Sequence, residues 1–154
     1  MLSIIRYLRS KVYLFEYRFY TKLKFGVNNT FSKGLFISRK NNITIGNNNY
    51  FGKNVHISSN LIIKNNVLIA SNVSFVGGDH KIDDIDCLIR ESGRGHFKTT
   101  VISDNVWIGH GSIILHGVRV SEGAVIAAGS VLTKNVNNNE IWGGNPAKFI
   151  RIRK

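Results

Sequence analysis

The chain has 154 residues, of which 43% are hydrophobic, and carries 21 lysine and arginine residues against 9 acidic ones. This size and apolar content suffice for one domain with a core and exclude a disordered chain. The net charge of +12 suits nucleic acid, a membrane surface or a small polyanion. No nucleic-acid partner is expected, because the basic residues are concentrated at the two ends and no nucleic-acid-binding motif is present. The only cysteine, Cys87, has no intramolecular partner, which favours a reducing, cytoplasmic location.

Residues 1–26 are predicted to form an amphipathic, basic helix. Apolar side chains recur at intervals of three and four residues and make one helical stripe: Ile5, Leu8, Val12, Phe15, Phe19 and Leu23. Two interpretations stay open: residues 1–25 lie at the inner face of a membrane beside anionic lipid, or they cap the open end of a solenoid. Sedimentation with liposomes of a variant that lacks residues 1–25 separates them, because unchanged binding excludes the membrane role.

Two blocks of the chain have an apolar residue at every sixth position. Residues 26–44 precede them as an Asn- and Gly-rich transition, which predicts an irregular first coil. The first block contains Ile45, Phe51, Ile57, Ile63, Ile69 and Phe75. The second block contains Ile102, Ile108, Ile114, Val120, Ile126 and Leu132. A helix needs a period of 3.6, whereas a period of six fits short strands that turn a corner after each hexapeptide.

The composition between these apolar positions fits such corners. Asparagine is abundant there, and it tolerates the left-handed backbone of tight turns. In the second block a small or branched residue also follows four positions after each apolar residue: Val106, Ser112, Val118, Ala124, Ser130 and Val136. We therefore predict an all-β solenoid whose coils extend over residues 36–136.

The repeat is interrupted and then ends. Phe75 and Ile102 are 27 residues apart, which is not a multiple of six. Residues 76–100 are therefore predicted to leave the coils as an inserted loop, and long loops in compact domains usually carry function. Residues 137–154 follow as a polar turn, a short apolar strand and a basic tail.

Four motifs carry a resemblance to a known family: GGDHKID at 77–83, DNVWIG at 104–109, TKNV at 133–136 and GGNPAKFIR at 143–151. Together with the repeats they resemble the hexapeptide-repeat acyltransferases of the maltose/galactoside acetyltransferase and sugar or capsular polysaccharide O-acetyltransferase type. The likeness covers about residues 36–154. It implies that residues 1–154 form a single acyltransferase domain with a left-handed parallel β-helix. It also implies a homotrimer with active sites between subunits, and acetyl-CoA as co-substrate with no metal required.

The resemblance assigns the general base to His80 in the inserted loop. Acetyl transfer from a thioester requires a base that takes the acceptor's proton, and imidazole suits this task because its pKa lies near neutrality. His80 would deprotonate the acceptor so that the acceptor attacks the thioester directly. Asp79, Asp83 and Asp84 are nearby candidates to orient the ring.

The resemblance places the pantetheine arm of coenzyme A against the main chain of His110 and Ala128. The amide of His110 is the candidate donor to the oxyanion. Trp107 fills a position that packs near the coenzyme in relatives, although an exposed aromatic on a prism face explains it equally well. His110 stands where small polar residues are common, and His116 stands where proline is common.

The resemblance also indicates which residues lie near the phosphates of coenzyme A. Thr133 and Lys134 match the pair near the pyrophosphate, and Lys148 and Arg151 match the cations near the adenosine 3′-phosphate. Charge-assisted hydrogen bonds are the natural partners of such groups.

The acceptor is expected to be a sugar or polysaccharide, and Asn54, Asn72 and Asp79 are candidates to bond its hydroxyls. Asparagine at a corner is more often structural. The expected function is acetyl-CoA-dependent O-acetylation of a sugar in bacterial surface polysaccharide synthesis.

Three alternatives stay open. The nearest is N-acetylation of a nucleotide-linked amino sugar. Another is a zinc enzyme like the gamma-type carbonic anhydrases, with His80, His110 and His116 as ligands. The last is a non-catalytic binding protein that has kept the fold.

Overall fold

The computed structural model describes residues 22–96 and 98–154, which contain 17 strands and no helix. The first coil holds β1 (Lys22–Phe25), β2 (Thr30–Phe31) and β3 (Phe36–Ile37). The second holds β4 (Asn42–Ile45), β5 (Tyr50–Phe51) and β6 (His56–Ile57). The third holds β7 (Leu61–Ile63), β8 (Leu68–Ile69) and β9 (Ser74–Val76). The fourth holds β10 (Thr100–Ile102), β11 (Trp107–Ile108) and β12 (Ile113–Leu115). The fifth holds β13 (Arg119–Val120), β14 (Val125–Ile126) and β15 (Val131–Leu132), before β16 (Glu140–Gly144) and β17 (Ala147–Ile152).

Successive coils stack their strands into three sheets, which are the faces of a triangular prism. Sheet A has the order β1-β4-β7-β10-β13, sheet C the order β3-β6-β9-β12-β15, and sheet B the order β2-β5-β8-β11-β14-β16-β17. All pairs are parallel except β16 with β17. The predicted left-handed parallel β-helix is thus confirmed. We name the prism edges by the sheets that they join: the A–B, B–C and C–A edges.

The hexapeptide positions form the core, as predicted. All twelve apolar residues of the two blocks are buried, and most are fully inaccessible to solvent. The six small or branched residues of the second block are buried as well. Each coil therefore contributes a layer of aliphatic side chains, which hold the coils together by burial of apolar surface.

Asparagines occupy left-handed corner positions, as the composition predicted. In the part of the chain that the structure describes, seven non-glycine residues have φ between 55° and 60°, and all are asparagine: Asn28, Asn48, Asn54, Asn66, Asn72, Asn105 and Asn139. Most other residues that carry a Cβ tolerate this backbone poorly. Asparagine thus lets the chain turn from one face of the prism to the next.

Side chains at the A–B edge form a hydrogen-bonded ladder that ends on a carboxylate. The backbone and side-chain amides of Asn65 donate to Asp104 Oδ1 at 3.0 and 2.8 Å. Asn47 donates in turn to Asn65 Oδ1. Burial alone would raise the pKa of Asp104, but the hydrogen bonds from Asn65 and the nearby Lys64 ammonium outweigh it and lower the pKa.

We expect Asp104→Asn to remove part of the acid sensitivity of the fold. A carboxylate whose pKa is lower in the folded chain stabilises it above the unfolded pKa of about 4, and this contribution is lost as the pH falls through the folded value. Asparagine accepts the same bonds without titrating. Denaturant unfolding at pH 7 and pH 3 should show a smaller loss for Asp104→Asn than for the wild type or for Asp83→Asn, an exposed control. Equal losses in all three proteins would contradict this role.

The predicted N-terminal helix is wrong for its last residues. Lys22–Phe25 form β1, which pairs with β4 through Leu23 and Ile43. The open edge of β4 offers backbone partners, and this pairing outweighs the helical spacing of Leu23. Residues 1–21 of that prediction lie outside the described residues. Among the residues that are described, no helix is long and apolar enough to cross a membrane.

The first coil is also more regular than predicted, because coils begin at residue 22 and not at residue 36. Coils one and two are offset by 20 residues, as in Phe36↔His56, whereas coils two and three are offset by 18. The two extra residues shift the phase of the repeat and conceal the first coil. The buried Asn29 side chain donates hydrogen bonds to the carbonyls of Gly26 and Gly46, so the polar groups inside this corner are paired with each other.

A β-hairpin closes the C-terminal end of the solenoid. β16 joins sheet B beside β14, and β17 returns antiparallel to it, where a strand followed by a basic tail was predicted. Ala147 is buried and Trp142 packs against the core. The hairpin therefore covers the last coil and carries Lys148 and Arg151.

Candidate active site

His80 lies at the closed base of the excursion, which we define as residues 77–99. Val76 still belongs to β9 and Thr100 already belongs to β10, so each predicted limit of the loop moves inward by one residue. Gly95 N donates to Asp79 O at 3.0 Å, and Lys81 N donates to Gly93 O at 3.1 Å. His80 thereby forms an antiparallel bridge with Arg94. This pairing gives the His80 backbone a defined position at the prism.

His80 is half-buried, and its Nδ1 atom is buried without a hydrogen-bond partner among residues 22–96 and 98–154. The predicted orienting bond from Asp79, Asp83 or Asp84 is not formed, because those carboxylates are exposed and the bridge fixes only the backbone. The side chain of Arg94, which the sequence did not single out, donates to Gly78 O. Buried polar atoms are usually paired with protein, ligand or ordered water, and no described residue takes this role for His80 Nδ1.

The C–A edge aligns the excursion with part of the expected coenzyme site. The excursion leaves this edge in the third coil, and Thr133 and Lys134 follow β15 at the same edge in the fifth coil. Strands of neighbouring coils are about 4.8 Å apart, so two coils separate the two features by about 10 Å. His116 lies between them in the fourth coil.

A cavity of about 250 Å³ brings together three of the predicted coenzyme residues: Thr133, Lys134 and Lys148. It lies between the corner after β15 and the C-terminal hairpin. Trp142 forms part of its wall, and the indole Nε1 donates to Glu140 Oε2 at 2.8 Å. Burial alone would raise the pKa of Glu140, but hydrogen bonds from Asn137 and Trp142 outweigh it and lower the pKa. The carboxylate therefore stays ionised and holds the indole in place.

A second groove, of about 410 Å³, lies on sheet B and contains Trp107 and Arg151. Trp107 is 50% exposed on the outer face of this sheet. Arg153, which sequence reasoning missed, also lines the groove, and its guanidinium donates to Gly123 O at 3.0 Å. Only its place in the basic tail could have pointed to it.

The B–C edge carries the remaining predicted residues. His110 and Ala128 occupy neighbouring coils, and Gly129 N donates to His110 O at 2.8 Å. Asn72 Nδ2 donates to His110 Nε2 at 3.2 Å, and Asn54 Nδ2 donates to Asn72 Oδ1 at 3.2 Å. Asn54 and Asn72 thus form a ladder along the corner, and their side chains are engaged with each other and with His110.

The coils are in close contact beside His110. A methyl group on Gly109 would come within 2.5 Å of Ala128 N, so glycine is required there for the two backbones to approach. The described residues provide no hydrogen-bond acceptor for the amide of His110. That amide is therefore available as a donor to a ligand on this edge.

Within one chain, the predicted site residues thus form separate groups on different edges and faces. The three histidines of the zinc alternative do not converge, since His110 lies on the B–C edge and His80 and His116 follow sheet C at the C–A edge. Among residues 22–96 and 98–154 there is no group of three or more His, Cys, Asp or Glu side chains that could hold a metal.

Comparison with known proteins agrees with the fold. Residues 99–134 match the family model described as bacterial transferase hexapeptide (six repeats). A putative acetyltransferase of Schizosaccharomyces pombe is 48% identical over 67 residues, which are 44% of this chain and 32% of that protein. The galactoside O-acetyltransferase of Lactococcus lactis is 40% identical over 63 residues, which are 41% of this chain and 30% of that protein. The matched region spans about a third of the length of these curated relatives.

A solved structure extends the likeness beyond the repeats. The hexapeptide-repeat acetyltransferase of Vibrio cholerae, solved with acetyl coenzyme A, has 27% identity and a TM-score of 0.75. The match covers 89% of this chain and 74% of that one. The repeat, the prism and these likenesses make the chain similar to the hexapeptide-repeat acyltransferases, in sequence over residues 99–134 and in fold over most of its length.

Proposed function

We propose that the chain is an acetyl-CoA-dependent O-acetyltransferase that acts on a hydroxyl of a sugar. The observation that carries this proposal is the alignment along the C–A edge. His80 stands at the base of the excursion, and the cationic cavity of Thr133, Lys134 and Lys148 opens two coils further on. The cavity suits the phosphates of a long polyanionic thioester. The base, two coils away, suits the second substrate, whose proton it would take.

The residues support direct transfer without a covalent acyl-enzyme. His80 takes the proton of the acceptor hydroxyl as its oxygen attacks the thioester carbonyl, and this forms the new C–O bond. The tetrahedral oxyanion accepts a hydrogen bond from the amide of His110. Collapse breaks the C–S bond, and the proton held by His80 returns to the departing coenzyme A thiolate. The products are an acetyl ester and free coenzyme A, and neutral His80 is regenerated.

The active unit in this proposal is a homotrimer. His80 belongs to the C–A edge, whereas the amide of His110 belongs to the B–C edge and Trp107 to the outer face of sheet B. When prisms pack side by side, the C–A edge of one subunit can face the B–C edge of its neighbour, so groups from the two subunits meet in one site. A cleft between subunits therefore unites the groups that a single chain keeps apart.

The acceptor is proposed to be a sugar of a bacterial surface polysaccharide. Support comes from the likeness to a galactoside O-acetyltransferase and from the basic, amphipathic sequence of residues 1–21. Such a segment suits the cytoplasmic face of a membrane, where a lipid-linked glycan would be met. N-acetylation of an amino sugar is the nearest alternative, because the same base and oxyanion donor serve an amine.

A transfer screen tests the proposal. Purified protein and acetyl-CoA are incubated with nucleotide sugars, free sugars and lipid-linked glycans, and products are analysed by mass spectrometry before and after mild alkali. We expect an acetylated sugar whose acetyl group is lost in alkali, as an ester requires. Alkali-stable products on amino sugars alone would replace O-acetylation by N-acetylation, and no product from any class would overturn both.

A further inference from the structure

His116 occupies the corner on which the excursion begins and ends. It follows β12 at the C–A edge, and the excursion leaves this edge one coil earlier. Its ring is half-buried. The proposed reaction gives His116 no part in the chemistry, and its environment indicates a separate role.

The first residue of the excursion, Gly77, is packed directly on His116. A methyl group added to Gly77 would come within 2.7 Å of His116 Cβ and 3.1 Å of its Cγ. Ser59 Cβ lies on the same side, at 3.3 Å from that methyl position. No side chain fits between Gly77 and the histidine, so His116 forms the surface on which the excursion starts.

The end of the excursion is bonded to the same ring. Lys98 N donates to His116 Nδ1 at 3.4 Å. A methyl group on Gly117 would come within 2.8 Å of Lys98 Cβ, so the corner after His116 and the end of the excursion are also in close contact. Because Nδ1 accepts, the neutral ring carries its proton on Nε2.

The contacts of His116 with Gly77 and Lys98 fix the position of His80 relative to the prism. His80 is three residues beyond Gly77, or about 10 Å along an extended chain. Two backbone hydrogen bonds, from Gly95 to Asp79 and from Lys81 to Gly93, join the two sides of the base of the excursion, so we expect a tilt at its exit to carry His80 with it. A tilt of about 6° at the exit would displace His80 by about 1 Å, and misplacement by that distance can cost about a hundredfold in rate.

We propose that His116 is a positioning residue that holds both ends of the excursion and thereby sets the position of His80. The proposal rests on the proposed function, because it assumes that His80 is the base. It does not make His116 a catalytic residue, since the ring acts on the backbone of Gly77 and Lys98. The expected signature is a fall in kcat that an acceptor atom at the Nδ1 position restores.

Two substitutions separate the acceptor atom from the bulk of the ring. His116→Leu supplies a side chain of similar width that has no hydrogen-bond acceptor. His116→Asn instead places an amide oxygen near the position of Nδ1. With the acceptor substrate from the transfer screen, we expect His116→Leu to lower kcat about tenfold with KM for acetyl-CoA changed less than about twofold. We expect His116→Asn to stay within about threefold of the wild type. His56→Leu, at a histidine that stacks on Phe36, is the matched control and should behave as the wild type.

Hydrogen exchange gives a readout that does not depend on turnover. Peptides from the ends of the excursion should exchange about tenfold faster in His116→Leu than in the wild type or in His116→Asn. Wild-type kcat in His116→Leu, an equal loss in both variants, or unchanged exchange would each overturn the positioning role. Failure of the wild type to acetylate any sugar would instead overturn the proposed function, and faster exchange would then still assign the two ends of the excursion to His116.

Discussion

Replacing His80 by alanine is expected to lower kcat for acetyl transfer by about a thousandfold, since a positioned general base contributes between about a hundredfold and ten-thousandfold. Without the imidazole, the hydroxyl must lose its proton to water as it attacks, and the free energy of the transition state rises. The fold should be unaffected, because the backbone of His80 makes the bridge with Arg94 and its Nδ1 is bonded to no described residue. Initial rates of coenzyme A release in the presence of the acceptor measure the effect.

The control for this substitution is His96→Ala, which removes an exposed histidine from the same excursion. It should leave kcat within about twofold of the wild type. Calorimetric titration with coenzyme A and light scattering should show unchanged affinity and trimer mass for both variants. A His80→Ala protein that turns over near the wild-type rate would remove His80 from the mechanism, and a variant that no longer assembles would make its role structural.

Removing both cavity cations in Lys134→Ala/Lys148→Ala is expected to weaken coenzyme A binding about a hundredfold. Each hydrogen bond to a charged group contributes about 1.5–3 kcal/mol, which is about tenfold or more in affinity. Both side chains line the cavity at the C-terminal hairpin, where phosphates can reach them. Calorimetry measures the dissociation constant, and kcat at saturating acetyl-CoA should change less than about threefold because His80 is untouched.

The matched control is Lys33→Ala/Lys53→Ala, which removes the same charge from exposed positions in the first two coils. It should bind coenzyme A as the wild type does. The effect of Lys148→Ala alone should shrink with 3′-dephospho-coenzyme A if this lysine contacts the 3′-phosphate. Equal weakening by the cavity variant and by the control would show that net charge, not the cavity, attracts the coenzyme.

Periodicity accounts for what the sequence could predict of the fold. Residues such as Ile63 and Ile108 recur every six positions because each strand turns the same side inward, and this rule needs no knowledge of distant contacts. The rule fails where the coil length changes. The two extra residues of the first coil conceal it, and Leu23, which pairs with Ile43, also fits a helical stripe. Strand pairing over 20 residues leaves no local signal that separates the two interpretations.

Motifs point to individual candidate residues but not to the contacts that position them. The resemblance pointed to Thr133, Lys134 and Lys148, and the structure places them around one cavity. It could not show that Lys98 meets His116, because these residues come together only when the excursion closes at its base. The orienting carboxylate expected beside His80 was also wrong. Proximity along the chain is a poor guide where antiparallel pairing turns neighbouring side chains to opposite sides.

The most direct test of acetyl transfer through His80 is a paired time course of free coenzyme A and acetylated sugar, made with the wild type and His80→Ala at equal trimer concentration. We predict that the wild type forms the two products in equal amounts and that His80→Ala forms neither above about a thousandth of that rate. Release of coenzyme A by the wild type without an acetylated sugar, or equal product from both proteins, would contradict it.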